Sequence, residues 1–576
     1  MKGKGNYMNG ISTHGFSGNV REAKVIAPTG TYIGNFDGKV ESYLGVRYAA
    51  PAVNFKAPKD VTTTSNDVID ATKFGPAGLQ PLQAMATPSH FPMSSDNLTL
   101  NIWTKDTGTT ASKPVMMWIH GGTFTIGGAS NEPSTYGRNF AANLPDGEDV
   151  VMISVNYRLG ILGQIDLSVL DDYDKYKEEY PDHNNIWILD LIQALKWINK
   201  NIAGFGGDPE NITVFGQSCG GMSSFHLCML KEAKVKRAII HSGSPFMGVG
   251  NFPSYRAASK GAFDALEVST VAALVKLPDE FILSKMNDPA TFYATSYALR
   301  ERVMDGRVIS PTWWDDFKAG AAKDVDIMCG CPNGEGENMF VDGRYPEIMT
   351  AKEIMERDLV GCFGEREGSP YWVGPQDTDG LRTLMEEALA IEDERKSADR
   401  MGHIRCYFDS YLGNRYICEE QSKWNTNIYQ YSFDWAPDIH AISDGSLPEE
   451  AGFSPFGRGL HCAEIPVVFD TCEEGYKGYA NYWTGRLTMA DGTRVADKLT
   501  GKYRPEKVPL NLIKQMQAAW YAFAKTGNPN NKLIPEWKPN IANERNVMVI
   551  NDEGWKLIPN LQERDLALLS DIQPER

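Results

Sequence analysis

The chain has 576 residues, a net charge of −17, and 42% hydrophobic and 23% charged residues, the proportions of a soluble globular protein. An acidic chain with no long basic run excludes nucleic acid and anionic membrane surfaces as partners. No apolar run approaches the roughly 18 residues that cross a bilayer, so no membrane span is expected.

The length suits either about two to four average domains or one large α/β unit carrying insertions. With no internal repeat, low-complexity linker or domain boundary in view, a single domain over 1–576 is expected. The first ten residues, Met1 to Gly10, have no apolar stretch that would serve as a secretory signal. Nine cysteines, scattered without a paired framework, read as reduced thiols and a cytoplasmic location.

In chain order, Lys24–Ala27, Thr31–Gly34 and Val40–Tyr48 are short apolar runs broken by glycine turns, the pattern of antiparallel strands. Leu98–Trp103, Val115–Ile119, Val150–Asn156, Ile212–Phe215, Ala238–Ser242 and Val325–Met328 follow, mostly as near-continuous apolar runs of strands covered on both faces. Helical stretches lie between them, and Ile186–Ile202, apolar on nearly all sides, predicts a buried helix. This alternation is α/β, a mostly parallel sheet with helices on both faces and ligands at the carboxyl ends of its strands. From about 255 to 430 the pattern becomes helical and more charged, as in Leu384–Arg395, and reads as helical insertions flanking the sheet and covering the site. Leu512–Lys525 reads as a closing amphipathic helix.

The chemistry centres on Ile212-Thr-Val-Phe-Gly-Gln-Ser-Cys-Gly-Gly221, in which a strand runs into G-x-S-x-G. A sharp turn there into a helix holds a strained serine with its hydroxyl raised over the sheet edge, and the helix aims free N–H groups at the same point. A serine hydroxyl is nearly inert at neutral pH. It needs an imidazole to take its proton and a carboxylate to orient that imidazole. The tetrahedral oxyanion needs donors from a second loop, typically H-G-G after an earlier strand. Val115-Met-Met-Trp-Ile-His-Gly-Gly-Thr-Phe124 supplies that loop at His120-Gly121-Gly122.

These motifs resemble those of the type-B carboxylesterase family, which holds the cholinesterases and the para-nitrobenzyl-esterase-like enzymes. The likeness covers nearly the whole chain. Ser95-Asp-Asn-Leu-Thr-Leu-Asn-Ile-Trp103 is similar to S-E-D-C-L-x-L-N-V, and Asn156-Tyr-Arg-Leu-Gly160 to N-Y-R-x-G. Ala203-Gly-Phe-Gly-Gly-Asp-Pro-Glu-Asn-Ile-Thr-Val-Phe-Gly216, His241-Ser-Gly-Ser244 and Trp520-Tyr-Ala-Phe-Ala-Lys-Thr-Gly-Asn-Pro529 each resemble a further family motif. The resemblance implies an α/β-hydrolase fold and a serine ester hydrolase working through an acyl-enzyme, with no metal and no organic cofactor.

It also implies roles. Ser218 is the nucleophile. Gly330-Cys-Pro-Asn-Gly-Glu-Gly336 resembles G-T-N-x-D-E-G, which makes Glu335 the triad acid, with Glu337 its nearest rival. Gly459-Leu-His-Cys-Ala-Glu-Ile-Pro466 resembles G-A-x-H-x-x-E, which makes His461 the base. Backbone N–H groups of Gly122, Thr123 and Cys219 would form the oxyanion hole, with Gly121 beside them. Arg158 and Asp190 correspond to a buried ion pair, and Ser242 would lie close to the acid. His120 would shape the oxyanion loop, while His226 and His241 read as satisfied core groups.

The chain departs from the family at several points. Thr123 stands where Gly or Ala is usual, narrowing the acyl side and offering a hydroxyl within reach of the oxyanion. Gln217 replaces Glu before the nucleophile and removes a charge. Cys219 replaces Ala, and Trp187 replaces Gly. Gly78 and Asn97 stand where many secreted relatives carry a disulfide, in keeping with a cytoplasmic enzyme. Cys219, Cys329, Cys331 and Cys462 flank the three triad positions, either as small buried hydrophobes or as a thiol-lined site open to oxidation and soft metals. Trp313, Trp314, Phe408 and Tyr411 would line a gorge or lie in ordinary core. The expected partner is a small or medium ester, with monomer and homodimer both open. Alternatives are a related acyl bond (hydroxycinnamoyl ester, thioester or amide) and a catalytically silent interaction protein of the same family.

Overall fold

The computed structural model describes residues 21–82, 92–108, 112–129, 132–246, 249–250, 252–300, 302–336, 349–356, 378–447, 457–473, 476, 488–489 and 491–570. Its framework is a 13-stranded sheet. The strands are β1 (Arg21–Ala27), β2 (Gly30–Phe36), β3 (Glu41–Arg47), β4 (Val68–Asp70), β5 (Thr99–Thr104), β6 (Lys113–Ile119) and β7 (Val151–Val155). They continue with β8 (Gly207–Gln217), β9 (Arg237–His241), β10 (Asp326–Pro332), β11 (Ile428–Phe433), β12 (Asn546–Ile550) and β13 (Lys556–Pro559). The order is β1-β2-β3-β5-β7-β6-β8-β9-β10-β11-β12-β13, with β4 beside β2.

β1, β2, β3 and β5 form the antiparallel edge, with β5 antiparallel to β7 and the short β4 parallel to β2. From β7 through β12 every neighbour is parallel. The edge strand β1 alternates, with Ala23, Val25 and Ala27 turned inward and their neighbours exposed. The central strands β6, β7, β9 and β10 are buried at every residue, as continuous apolar runs require. Along β6, Val115, Met117 and Ile119 enter one core while Met116 and Trp118 enter the core on the other face, because successive side chains point to opposite sides.

Helix α1 (Ile186–Asn201) buries Trp187, Ile188, Leu191 and Leu195 in the first core, beside α2 (Cys219–Met229). Each such side chain contributes roughly 1.5–3 kcal/mol through burial. Between 379 and 421 the helices are α3 (Asp379–Leu389), α4 (Glu394–Cys406) and α5 (Leu412–Gln421). The stretch Leu384–Arg395 is therefore broken: α3 ends at Leu389, and Asp393 caps α4 by accepting from the Lys396 N–H. Helix α6 (Leu510–Thr526) covers the second face. It does not close the fold, since β12, β13 and a short helix Glu563–Leu568 follow it.

Candidate active site

β8 ends at Gln217 and α2 begins at Cys219, leaving Ser218 at the corner with φ 57° and ψ −126°. A β-carbon never rests easily at positive φ, and the surroundings enforce it. The Ser218 N–H donates to the His241 carbonyl at 2.9 Å, and Met222 N–H donates to the Ser218 carbonyl at 2.9 Å. The close approach explains the flanking glycines: a Cβ on Gly220 would lie 2.0 Å from the Ile119 carbonyl, and one on Gly216 2.4 Å from that of Gly220. Ser218 itself is partly exposed.

After β6 the chain turns through Gly122 (φ 105°), Thr123 (φ 55°) and Phe124 (φ 58°). Positive φ at two successive non-glycine residues is strain stored at a loop. Phe124 is held by Trp187, whose ring lies 4.4 Å away, and by its N–H, which donates to Cys219 Sγ at 3.2 Å. The backbone N–H groups of Gly122 and Cys219 have no acceptor among the described residues. Thr123 differs from the sequence-based expectation. Its hydroxyl donates to the Gly122 carbonyl at 2.7 Å and lies 2.9 Å from Thr125 Oγ1, so it is tied to its own loop rather than offered to an oxyanion. His120 is buried, stacks on Tyr157 at 4.3 Å, and pairs through Nδ1 with the Gly121 carbonyl. Burial drives its pKa down to about 4, so it shapes the loop as an uncharged ring.

Glu335 follows β10 and is 1% exposed. His461 arrives on a distant segment that pairs Leu460 with Gly334. The His461 Nδ1 hydrogen-bonds Glu335 Oε1. Ser242 Oγ donates to Glu335 Oε2 at 3.1 Å, and Ser410 Oγ to Oε1 at 3.3 Å. Cys406 Sγ donates to the Glu335 carbonyl. On the other side of the ring, His461 Nε2 lies 2.9 Å from Gln217 Nε2. Among the described residues Ser218 Oγ has no hydrogen bond of its own, so the imidazole is held one residue short of the serine. Burial opposes charging of His461, yet Cys462 and Glu335 outweigh it and hold the pKa well above the ordinary 6.5. Burial also raises the Cys462 thiol, against the pull of His461, which lowers it.

The supporting residues fall where the resemblance placed them. Arg158 and Asp190 form an ion pair, 1% and 0% exposed, joined at Nη2–Oδ1 by 2.5 Å and at Nε–Oδ2 by 2.8 Å. A Cβ on Gly78 would lie 3.0 Å from Asn97 Nδ2, so those two positions do face each other. His226 and His241 are partnered in the core, by Arg302 and by Trp520 and Tyr431 respectively. Cys219, Cys329, Cys331 and Cys462 are buried, and burial drives Cys219 up to about 11, which is the behaviour of small hydrophobes rather than reactive thiols. Trp313, Trp314 and Tyr411 belong to core clusters. Trp313 also borders a groove of about 630 Å³ at the far end of α2, lined by Met229, Lys231 and Val325 and remote from Ser218. Glu337 and the Phe408 side chain lie outside the described residues. Sequence reasoning missed Cys406, Ser410 and the Gln217 contact. Only the first two come from the helical stretch, and no motif marks them.

The carboxylesterase family model matches residues 22–569, and the chain belongs to that family. The para-nitrobenzyl esterase of Bacillus subtilis (strain 168) is 28% identical over 537 residues, covering 90% of this chain and 93% of its own. Esterase cest-33 of Caenorhabditis elegans is 37% identical over 527 residues, covering 86% and 82%. The crystal structure of carboxylesterase EST55 from Geobacillus stearothermophilus superposes with a TM-score of 0.71 at 25% identity, covering 95% of this chain and 99% of that one. An α/β-hydrolase fold and ester hydrolysis follow from this membership.

Proposed function

We propose that the chain is a serine carboxylesterase in which Ser218 is the nucleophile, His461 its base and Glu335 the orienting acid. The observation that carries this reading is the Glu335–His461 bond, which leaves Nε2 facing the side chain of Gln217, the residue before Ser218. With Nδ1 protonated against Glu335, Nε2 presents a lone pair to accept the Ser218 proton as Oγ attacks the ester carbonyl. Backbone N–H groups of Gly122, Thr123 and Cys219 meet the oxyanion, each contributing about 3 kcal/mol to lowering the barrier. Among the described residues no acceptor takes the N–H groups of Gly122 and Cys219, which supports that assignment. The alcohol leaves with the proton from His461, and water activated by the same ring frees the acid. The substrate class is a small or medium ester, and the buried thiols suit a cytoplasmic enzyme.

Ser218→Ala tests the reading: turnover of a short-chain nitrophenyl ester falls at least 10³-fold while the melting temperature stays within about 2 °C. Activity within tenfold of the parent would refute it.

A further inference from the structure

We infer that the Gln217 carboxamide is a positioning residue that occupies His461 Nε2 in the resting site and must yield that nitrogen to Ser218 for each turnover. The inference rests on the reading of His461 as the base of Ser218 and adds the residue that competes for it. An imidazole nitrogen has one in-plane lone pair or one N–H, so it serves one strong partner at a time. Nδ1 is taken by Glu335 and Nε2 by the Gln217 amide at 2.9 Å. The Gln217 side chain is buried, 4% exposed, and wedged: a Cβ on Gly121 would lie 2.7 Å from its Oε1 and 3.2 Å from Ser218 Cβ. The absence of a side chain at Gly121 is what lets the carboxamide lie between the oxyanion loop and the ring.

The hydrogen bond has a direction. An amide N–H facing Nε2 donates to its lone pair, so Gln217 favours the uncharged imidazole, whereas Glu335 at Nδ1 favours the charged one. Among the described residues the other titratable groups beside the ring or Glu335 are Cys462, whose pKa burial raises, Cys331, raised by burial and then by Glu335, and Cys406, whose thiol donates to the Glu335 carbonyl. Glu464, three residues on, faces His241 and Tyr431 instead. Removing the donor must therefore raise the His461 pKa, and placing a carboxylate there must raise it further.

The test uses the full chain with Gln217→Met, which keeps the bulk and loses the donor, and Gln217→Glu. Three quantities are read: kcat/KM for p-nitrophenyl acetate against pH, labelling of Ser218 by a fluorophosphonate above the acid limb, and the melting temperature. The acid limb is expected to move up by roughly half a unit to one unit in Gln217→Met and further in Gln217→Glu. Ser218 in Gln217→Met is expected to label several-fold faster, since its base is no longer occupied. A limb unmoved in both variants, or faster labelling in neither, overturns the inference even if turnover drops, because a merely structural Gln217 would lower activity without moving the midpoint. If the parent protein labels elsewhere than Ser218, the assignment of the nucleophile fails instead, and the two failures are distinct.

Discussion

His461 with Glu335 and His241 with Glu464 are two imidazole–carboxylate pairs built from the same two neighbourhoods. His461 and Glu464 are three residues apart in sequence, and His241 immediately precedes Ser242, which donates to Glu335. The pairs differ in burial and in what holds the second ring nitrogen. The side chains of His241 and Glu464 are both 0% exposed, with Nδ1 3.4 Å from the carboxylate. Trp520 Nε1, a donor only, gives its proton to His241 Nε2 at 3.1 Å, which leaves Nδ1 as the protonated nitrogen. Tyr431 OH lies 2.8 Å from that Nδ1 and donates to Glu464 Oε1 at 3.3 Å, and aromatic rings of Trp118, Phe215, Tyr431 and Trp520 surround the imidazole. Every polar position of His241 is committed to core. The His461 side chain is 19% exposed, and among the described residues its Nε2 faces the Gln217 side-chain amide. The same two residue types thus give a strut in one place and, on the proposed reading, a proton acceptor in the other, with the second nitrogen marking the difference.

The largest effects should separate the two rings by kind. His461→Gln keeps a donor for Glu335 but cannot take the serine proton, so kcat should fall on the order of 10⁴-fold with a melting temperature within about 3 °C of the parent. His241→Ala should do the reverse. It strands the Trp520 N–H and leaves the Tyr431 hydroxyl and Glu464 only each other in the core, at about 2–4 kcal/mol of stability, while enzyme still folded at 25 °C keeps activity within about tenfold. Thermal melts and nitrophenyl-ester assays on both variants check this. A His241→Ala protein that is stable but inactive would erase the distinction.

Acid titration sharpens the contrast with a smaller effect. Glu335 favours the charged His461, whose pKa stands above its ordinary 6.5. As the proposed base, His461 works only uncharged, so kcat/KM should decline as pH falls through a midpoint above 6.5. The same raised pKa contributes folding stability that is fully present below pH 6.5 and is lost as pH rises through the folded value. His241→Gln, which can still accept from Trp520 and donate to Glu464, should leave the kinetic midpoint within about 0.2 unit. A midpoint that follows the identity of residue 241 would mean that the buried pair sets the base.

Much of this was legible in the chain because it is local. The strand run into Gly216-Gln217-Ser218-Cys219-Gly220 predicts the elbow, and the chain makes that turn, with the positive φ at Ser218. The run Val115–Ile119 predicts a fully buried strand, and β6 is one. Glu335, His461 and the Arg158–Asp190 pair came from family motifs rather than from spacing, and their side chains do meet. What stayed hidden depends on contacts between remote segments. Nothing near Ser410 or Cys406 in sequence says that a helix 75 or 71 residues beyond Glu335 returns to bond it. Gln217 was legible as a lost charge but not as a partner, because its contact lies 244 residues away on His461. The break between α3 and α4 was obscured by strong helix formers on both sides, where the Asp393 cap decided the boundary.

The smallest predicted effect tests whether the buried pair is a chain of single bonds or a shared network. Tyr431→Phe removes one hydroxyl that touches both His241 and Glu464 and leaves the ring packing intact. If the bonds act in series, with Trp520 donating to His241, His241 to Tyr431, and Tyr431 to Glu464, the loss leaves His241 Nδ1 facing Glu464 directly at 3.4 Å. That contact can shorten and satisfy both groups, so the variant should lose only about 1 kcal/mol of stability. Activity and its pH midpoint should not change, since His461 and Glu335 lie on the other branch. Urea unfolding of the variant beside the parent measures the first and a pH–rate profile the second. A loss of 3 kcal/mol or more would mean that the tyrosine holds a cooperative network, in which case the two pairs are coupled through Glu464 and the clean division between strut and base would have to be redrawn.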